Sequence, residues 1–182
     1  MSKNITGVLL AFLTFLIQGQ AFANEKVAYQ NWVVDIGGVT TEAYTANDAN
    51  SSFGLFCTGD KCLFYLHQPL RCQPNQKYSV LMNSAAISTA LTMQCTQVGG
   101  NLFEILDPFA AVFKATQSGG MIGFAVALQS GAFAVTTFNL AGASDAIKRT
   151  IAEAGRVNKP APSPPKIPPN SPGIRGLKDI SI

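Results

Sequence analysis

Three of the four cysteines and the single histidine of this 182-residue chain fall within the stretch SFGLFCTGDKCLFYLHQPLRC, as Cys57, Cys62, His67 and Cys72; the fourth cysteine is Cys95. Thiols and an imidazole this close together serve metal binding, dithiol redox chemistry or a structural cross-link, and spacing separates the three. A zinc site asks for two close ligand pairs such as C-x2-C with matching histidines or thiols; here the spacings are C-x4-C and C-x9-C. A dithiol oxidoreductase asks for C-x-x-C at a helix start, which this sequence lacks. We therefore expect no metal and no cofactor, and read Cys57, Cys62, Cys72 and Cys95 as disulfide cysteines. Three pairings are open. Cys57 and Cys62 flank Thr58-Gly59-Asp60, turn formers between two aromatic-rich runs, and face each other if this stretch is a hairpin. Cys72 and Cys95 then close a longer loop.

Other residue types imitate catalytic patterns. GASDA, from Gly142 to Ala146, matches the nucleophile elbow G-x-S-x-G except in its last position. A hydrolase built on it would use Ser144, with His67 as the base. The structural alternative is that Ser144 caps a helix and Asp145 complements its positive end. No catalytic residue is assigned. Carboxylates are sparse and unpaired, against glycosidase chemistry. The glycine pairs at Gly37, Gly99 and Gly119 lack the Lys-Ser/Thr that opens a phosphate loop, so they read as turns. The aromatics of FGLF and CLFYL read as core rather than as a binding face.

The elements that must position these residues are mostly strands. AYQNWVVDIGG alternates Trp32, Val34 and Ile36 onto one side, and TTEAYTAN, SFGLFC and KCLFYLHQ follow. If the last is regular, Leu63, Tyr65 and His67 share one face, and Phe64 and Leu66 the other. KYSVLMN, ISTALTMQCTQ, with Ile87, Thr89, Leu91, Met93 and Cys95 in phase, and NLFEI come next. Asp107-Pro108 predicts a helix start with Asp107 as N-cap. Two strands flank Gln129-Ser130-Gly131, and SDAIKRTIAEAG predicts a second helix capped by Ser144, buried through Ile147 and Ile151, and stopped by Gly155. The expectation is a mainly β fold, an antiparallel sheet or β-sandwich of about eight strands, with one or two short helices and a disulfide clip.

The ends differ from this body. Lys3, the apolar run Gly7 to Ile17 and Ala21-Phe22-Ala23 make a signal peptide over residues 1–23, with no integral span left after its cleavage. The globular domain is expected over 24–155. Residues 156–182 hold seven of the ten prolines and predict an extended, disordered tail. This tail carries five basic residues and one acid, whereas the body from Asn24 to Gly155 carries seven bases and nine acids. The basic charge thus belongs to the tail, and the body shows no cationic cluster for nucleic acid.

Trp32-Val33-Val34, Cys62 with Gln68, and Gly142 with Ala146 resemble the invasion-associated locus B family of exported bacterial proteins, although a cysteine close behind the tryptophan is missing. The resemblance implies a periplasmic or secreted, virulence-associated protein that meets another envelope or host protein, and it brings no catalytic residues. The resulting expectation is a non-enzymatic binding or structural protein of the bacterial envelope. Its tail docks a partner through the apolar residues that return after the prolines, Ile174, Leu177, Ile180 and Ile182. A subunit of an envelope-spanning secretion apparatus and the small serine hydrolase are the competing readings.

Overall fold

The computed structural model describes residues 24–69, 72–98, 100–128 and 130–157. The expected signal peptide, and the tail from residue 158 onward with its four apolar docking residues, lie outside the described residues. In chain order the elements are β1 (Glu25–Tyr29), β2 (Trp32–Ile36), β3 (Thr40–Asn47), β4 (Ser51–Thr58), β5 (Lys61–His67), β6 (Lys77–Ser84), β7 (Ser88–Val98), β8 (Asn101–Asp107), α1 (Phe109–Thr116), β9 (Met121–Ala127), β10 (Phe133–Asn139) and α2 (Ala143–Val157). The ten strands form one antiparallel sheet in the order β1-β2-β3-β4-β5-β8-β7-β6-β9-β10.

Two strands come from splitting an expected one. AYQNWVVDIGG holds a two-residue turn at Gln30-Asn31, with Tyr29 paired to Trp32 and Gln30 at φ 53°. Glutamine rarely takes that conformation, so nothing in the local sequence marks the turn. Gly59-Asp60 closes the β4–β5 hairpin as expected, with Gly59 at φ 61°.

Alternation supplies the core. Phe53, Leu55 and Cys57 of β4 and Phe64 and Leu66 of β5 are fully buried, and Leu91, Met93 and Cys95 of β7 nearly so. The sheet curls until its last strands meet its first ones. Phe53 lies 5.7 Å from Trp32, 5.1 Å from Phe124 on β9 and 5.8 Å from Phe138 on β10, ring centroid to ring centroid. Trp32 Nε1 donates to the Asn139 carbonyl at 3.0 Å, and Asn47 Nδ2 to that of Thr137 at 3.2 Å. The indole N–H thus finds the partner that burial demands.

The helices close the core with corrected ends. Asp107 is the last residue of β8 and Pro108 takes the cap position of α1, without a side-chain cap bond. Strand pairing with Thr92 holds Asp107 extended, which overrides its capping preference. Phe109 of α1 packs against Phe64 with its ring tilted and the centroids 4.9 Å apart, and Val112 is fully buried. In α2, Ser144 lies inside the helix, and the Gly142 carbonyl accepts the first bond, from the Ala146 N–H. Gly142 sits at φ 89°, and a Cβ there would lie 1.9 Å from the Tyr29 carbonyl oxygen, so this close approach to the β1–β2 turn requires glycine. Ile151 is 40% exposed, because the buried stripe runs through Ala143, Ala146, Ile147, Thr150 and Ala154. Helix bonding also continues through Gly155 to Val157, where Arg156 holds Glu153 at 2.8 Å.

Both disulfides follow from this arrangement. Cys57 and Cys62 are directly paired across the hairpin, Cα to Cα 4.1 Å, and bonded. Cys72 is bonded to Cys95 on β7 across a sequence separation of 23 residues. In the chain-entropy model the short loop contributes roughly 2 kcal/mol and the long one roughly 3 kcal/mol.

Candidate binding site on the outer sheet face

His67 and Ser144 do not meet. His67 Nδ1 is 2.8 Å from the Leu102 carbonyl, and its ring lies 5.3 Å from that of Phe103. Ser144 donates to Gln117 Oε1 at 2.8 Å, beyond α1. Each already has a partner of its own, and no nucleophile–base pair forms between them. Among the described residues no group of three or more His, Cys, Asp or Glu side chains is placed to hold a metal. All four cysteines are consumed in disulfides.

The polar chemistry collects instead on the face of the sheet that points away from the core. Strand register builds it in rows. Lys26, Asp35, Glu42, Phe56 and Leu63 lie side by side from β1 to β5. Tyr44, Gly54, Tyr65, Ile105 and Gln94 form the next row, from β3 across β4, β5 and β8 to β7. Tyr65 belongs to the second row but leans over Gly54 and donates its hydroxyl to Glu42 Oε1. Gly54 leaves the room. A Cβ there would lie 2.5 Å from the Ala43 carbonyl oxygen and 3.0 Å from Tyr65 Oη. A glycine inside a strand commonly marks such an approach.

Around this pair is an apolar trough of about 350 Å³ lined by Phe56, Leu63, Tyr65, Val98, Phe103 and Ile105, with Glu42 and Thr96. Burial raises the Glu42 carboxyl above the ordinary range; the Tyr65 hydrogen bond opposes this, and the negative charge of Asp35 adds to it. Burial first, and then the neighbouring Glu42 charge, push the Tyr65 hydroxyl up, so it stays protonated and remains the donor. Lys26 is committed to Asp35 at 3.1 Å. An apolar concavity with one carboxyl and one hydroxyl at its wall is suited to gripping an apolar side chain or chain, oriented by a donor directed at Glu42.

The inner face carries a second polar cluster. Glu104, 2% exposed, accepts from Gln68 Nε2 at 3.1 Å, and Gln68 Oε1 accepts from Thr136 Oγ1 at 2.6 Å. Burial raises the Glu104 carboxyl, opposed by the Gln68 hydrogen bond and by His67. This chain ties β8 to β10 through the residue after β5.

The expectation that the aromatics of FGLF and CLFYL form core holds for Phe53 and Phe64. Phe56 and Tyr65 belong to the outer trough. No motif or spacing in the sequence marks Glu42 or Phe103. The available signal was Gly54, isolated within an otherwise bulky strand.

No protein-family model matches this chain, and no curated protein matches it. Among solved structures it is similar to the crystal structure of invasion associated protein B from Bartonella henselae. That likeness has a TM-score of 0.52 and 15% identity, over 70% of this chain and 96% of the other. It is a likeness of fold, in line with the resemblance drawn from Trp32, Cys62 and Gly142.

Proposed function

We propose that this protein is an exported, non-enzymatic binding protein of the bacterial envelope whose outer-face trough holds an apolar element of a partner protein. The observation that carries this reading is the trough itself. A sheet with one face on its core normally turns polar side chains to water on the other, yet here Phe56, Leu63, Phe103, Ile105 and Val98 gather there around Glu42 and Tyr65. Concentrated outward apolar surface of this kind marks interaction sites. Two disulfides fit an oxidising compartment, and the similar fold of an invasion associated protein fits an envelope role. No helix among the described residues is long and apolar enough to cross a membrane. The tail, with Ile174, Leu177, Ile180 and Ile182, serves as tether and second contact.

The test is photo-crosslinking in the producing cell from position 98, on the rim of the trough, and from position 79, on the outer face of β6. We expect a discrete protein adduct from position 98 that is absent from position 79. Equal labelling from both positions, or none from position 98, refutes the trough as the partner site.

A further inference from the structure

We infer that the open half of the β10 edge is the docking site of this chain's own C-terminal segment, residues 173–182, which adds to the sheet as a further strand. The two edges of the sheet are treated differently. β1 carries Glu25 and Lys26, and charged side chains are a usual way of blunting an edge. β10, FAVTTFN, has neither a charge nor a proline. Its backbone polarity can be assigned residue by residue. Leu140 N–H bonds the Gly120 carbonyl and Leu128 N–H bonds the Ala132 carbonyl, so the even-numbered residues of β10 face β9. Phe133, Val135, Thr137 and Asn139 therefore direct their N–H and C=O groups away from the sheet.

Half of that outward row is closed. The carbonyls of Thr137 and Asn139 accept from Asn47 and Trp32. Among the described residues, no hydrogen bond reaches the outward groups of Phe133 and Val135. Their side chains are also 57% and 66% exposed. An apolar, uncharged edge with unpaired backbone groups is a template for strand addition.

The occupant follows from the chain beyond Val157. Proline cannot donate to a ladder, which excludes the stretch from Pro160 to Pro172 and leaves GIRGLKDISI, residues 173–182, as the proline-free part. In an extended conformation Ile180 and Ile182 fall on one face two residues apart, the spacing of Phe133 and Val135, and Ile174 shares their phase. The 15 residues from 158 to 172 reach about 47 Å at roughly 3.1 Å per residue. That exceeds the diameter of about 35 Å expected for a body of this size. Tethering supplies an effective concentration on the order of millimolar, so a short pairing suffices. The inference rests on the reading of the tail as a docking element and assigns its resting place. It does not depend on the trough.

The experiment is residue-resolved hydrogen exchange on the full chain, compared with the full-length Ile180→Asp/Ile182→Asp variant. We expect the amides of Phe133 and Val135 to exchange at least tenfold faster in the variant, while the β9-facing amides of Thr136 and Phe138 are unchanged. Protection that is lost in the variant but depends on protein concentration assigns the segment to the edge of a neighbouring copy and overturns the intramolecular docking. Protection that persists in the variant and rises with concentration means pairing of β10 with a second β10, and overturns it. Fast exchange in both proteins overturns it as well. A trough that crosslinks normally beside an unprotected edge would refute this inference alone.

Discussion

Glu42 and Glu104 lie on opposite faces of one sheet, and burial raises both carboxyls. Their surroundings give that shared shift different meanings. Glu104 is enclosed, 2% exposed, with Gln68 as its hydrogen-bond donor. Glu42 borders a trough open to solvent and is held by Tyr65, whose position depends on the missing side chain of Gly54. A raised carboxyl alone therefore does not locate a functional site; the shape beside it does.

The sharpest way to break this comparison is truncation. Glu104→Ala leaves Gln68 Nε2 unpaired in the core and opens a void, and is expected to cost about 3 kcal/mol in urea unfolding. Glu42→Ala is expected to cost about 1 kcal/mol, since water in the trough replaces the lost contact. Equal costs would erase the distinction between scaffold and site. Gly54→Ala comes next, at about 2 kcal/mol, because its Cβ meets the Ala43 carbonyl oxygen and Tyr65 Oη. Loss of the Tyr65 contact to Glu42 in that variant would appear as a shifted Tyr65 ring resonance.

The smallest effect is in pH dependence. Both carboxyls sit above the ordinary range when folded, so folding takes up protons. Their stabilising contribution is complete below the ordinary glutamate range and is lost as pH rises through the folded-state values. Glu104→Gln keeps an acceptor for Gln68 without the charge, and its stability should fall less steeply than that of the wild type as pH rises above the ordinary glutamate range. Tyr65→Phe removes the hydrogen bond that holds Glu42 down, so that part of the loss should move to higher pH. Thermal unfolding across this pH range, with wild-type protein alongside, reads both.

What the sequence reveals depends on whether the cause is local. Leu91, Met93 and Cys95 alternate onto the core side as their spacing predicts, and the Thr58-Gly59-Asp60 turn brings its two cysteines together. CLFYL is apolar on both faces, so periodicity cannot tell which face is covered. That is settled by the pairing of β5 with β8, which passes over β6 and β7 and sets Tyr65 beside Ile105. The trough is a product of this non-local pairing. Ile151 fails for a related reason: which helix stripe is buried is set by how α2 lies against β2, β3 and β4, while local spacing allows either neighbour. The expectation of a docking tail rests on composition, and residues 158–182 lie outside the described residues.

The bond from the Trp32 indole to the Asn139 carbonyl spans 107 residues. A chain delivered N-terminus first has to hold β2 without that partner until nearly the whole domain has arrived. Contacts this distant in sequence slow folding, because a large loop must close before they are rewarded. Since this is the only tryptophan in the chain, its fluorescence in a refolding experiment reports the final curling of the sheet, and the early hairpins should form in silence.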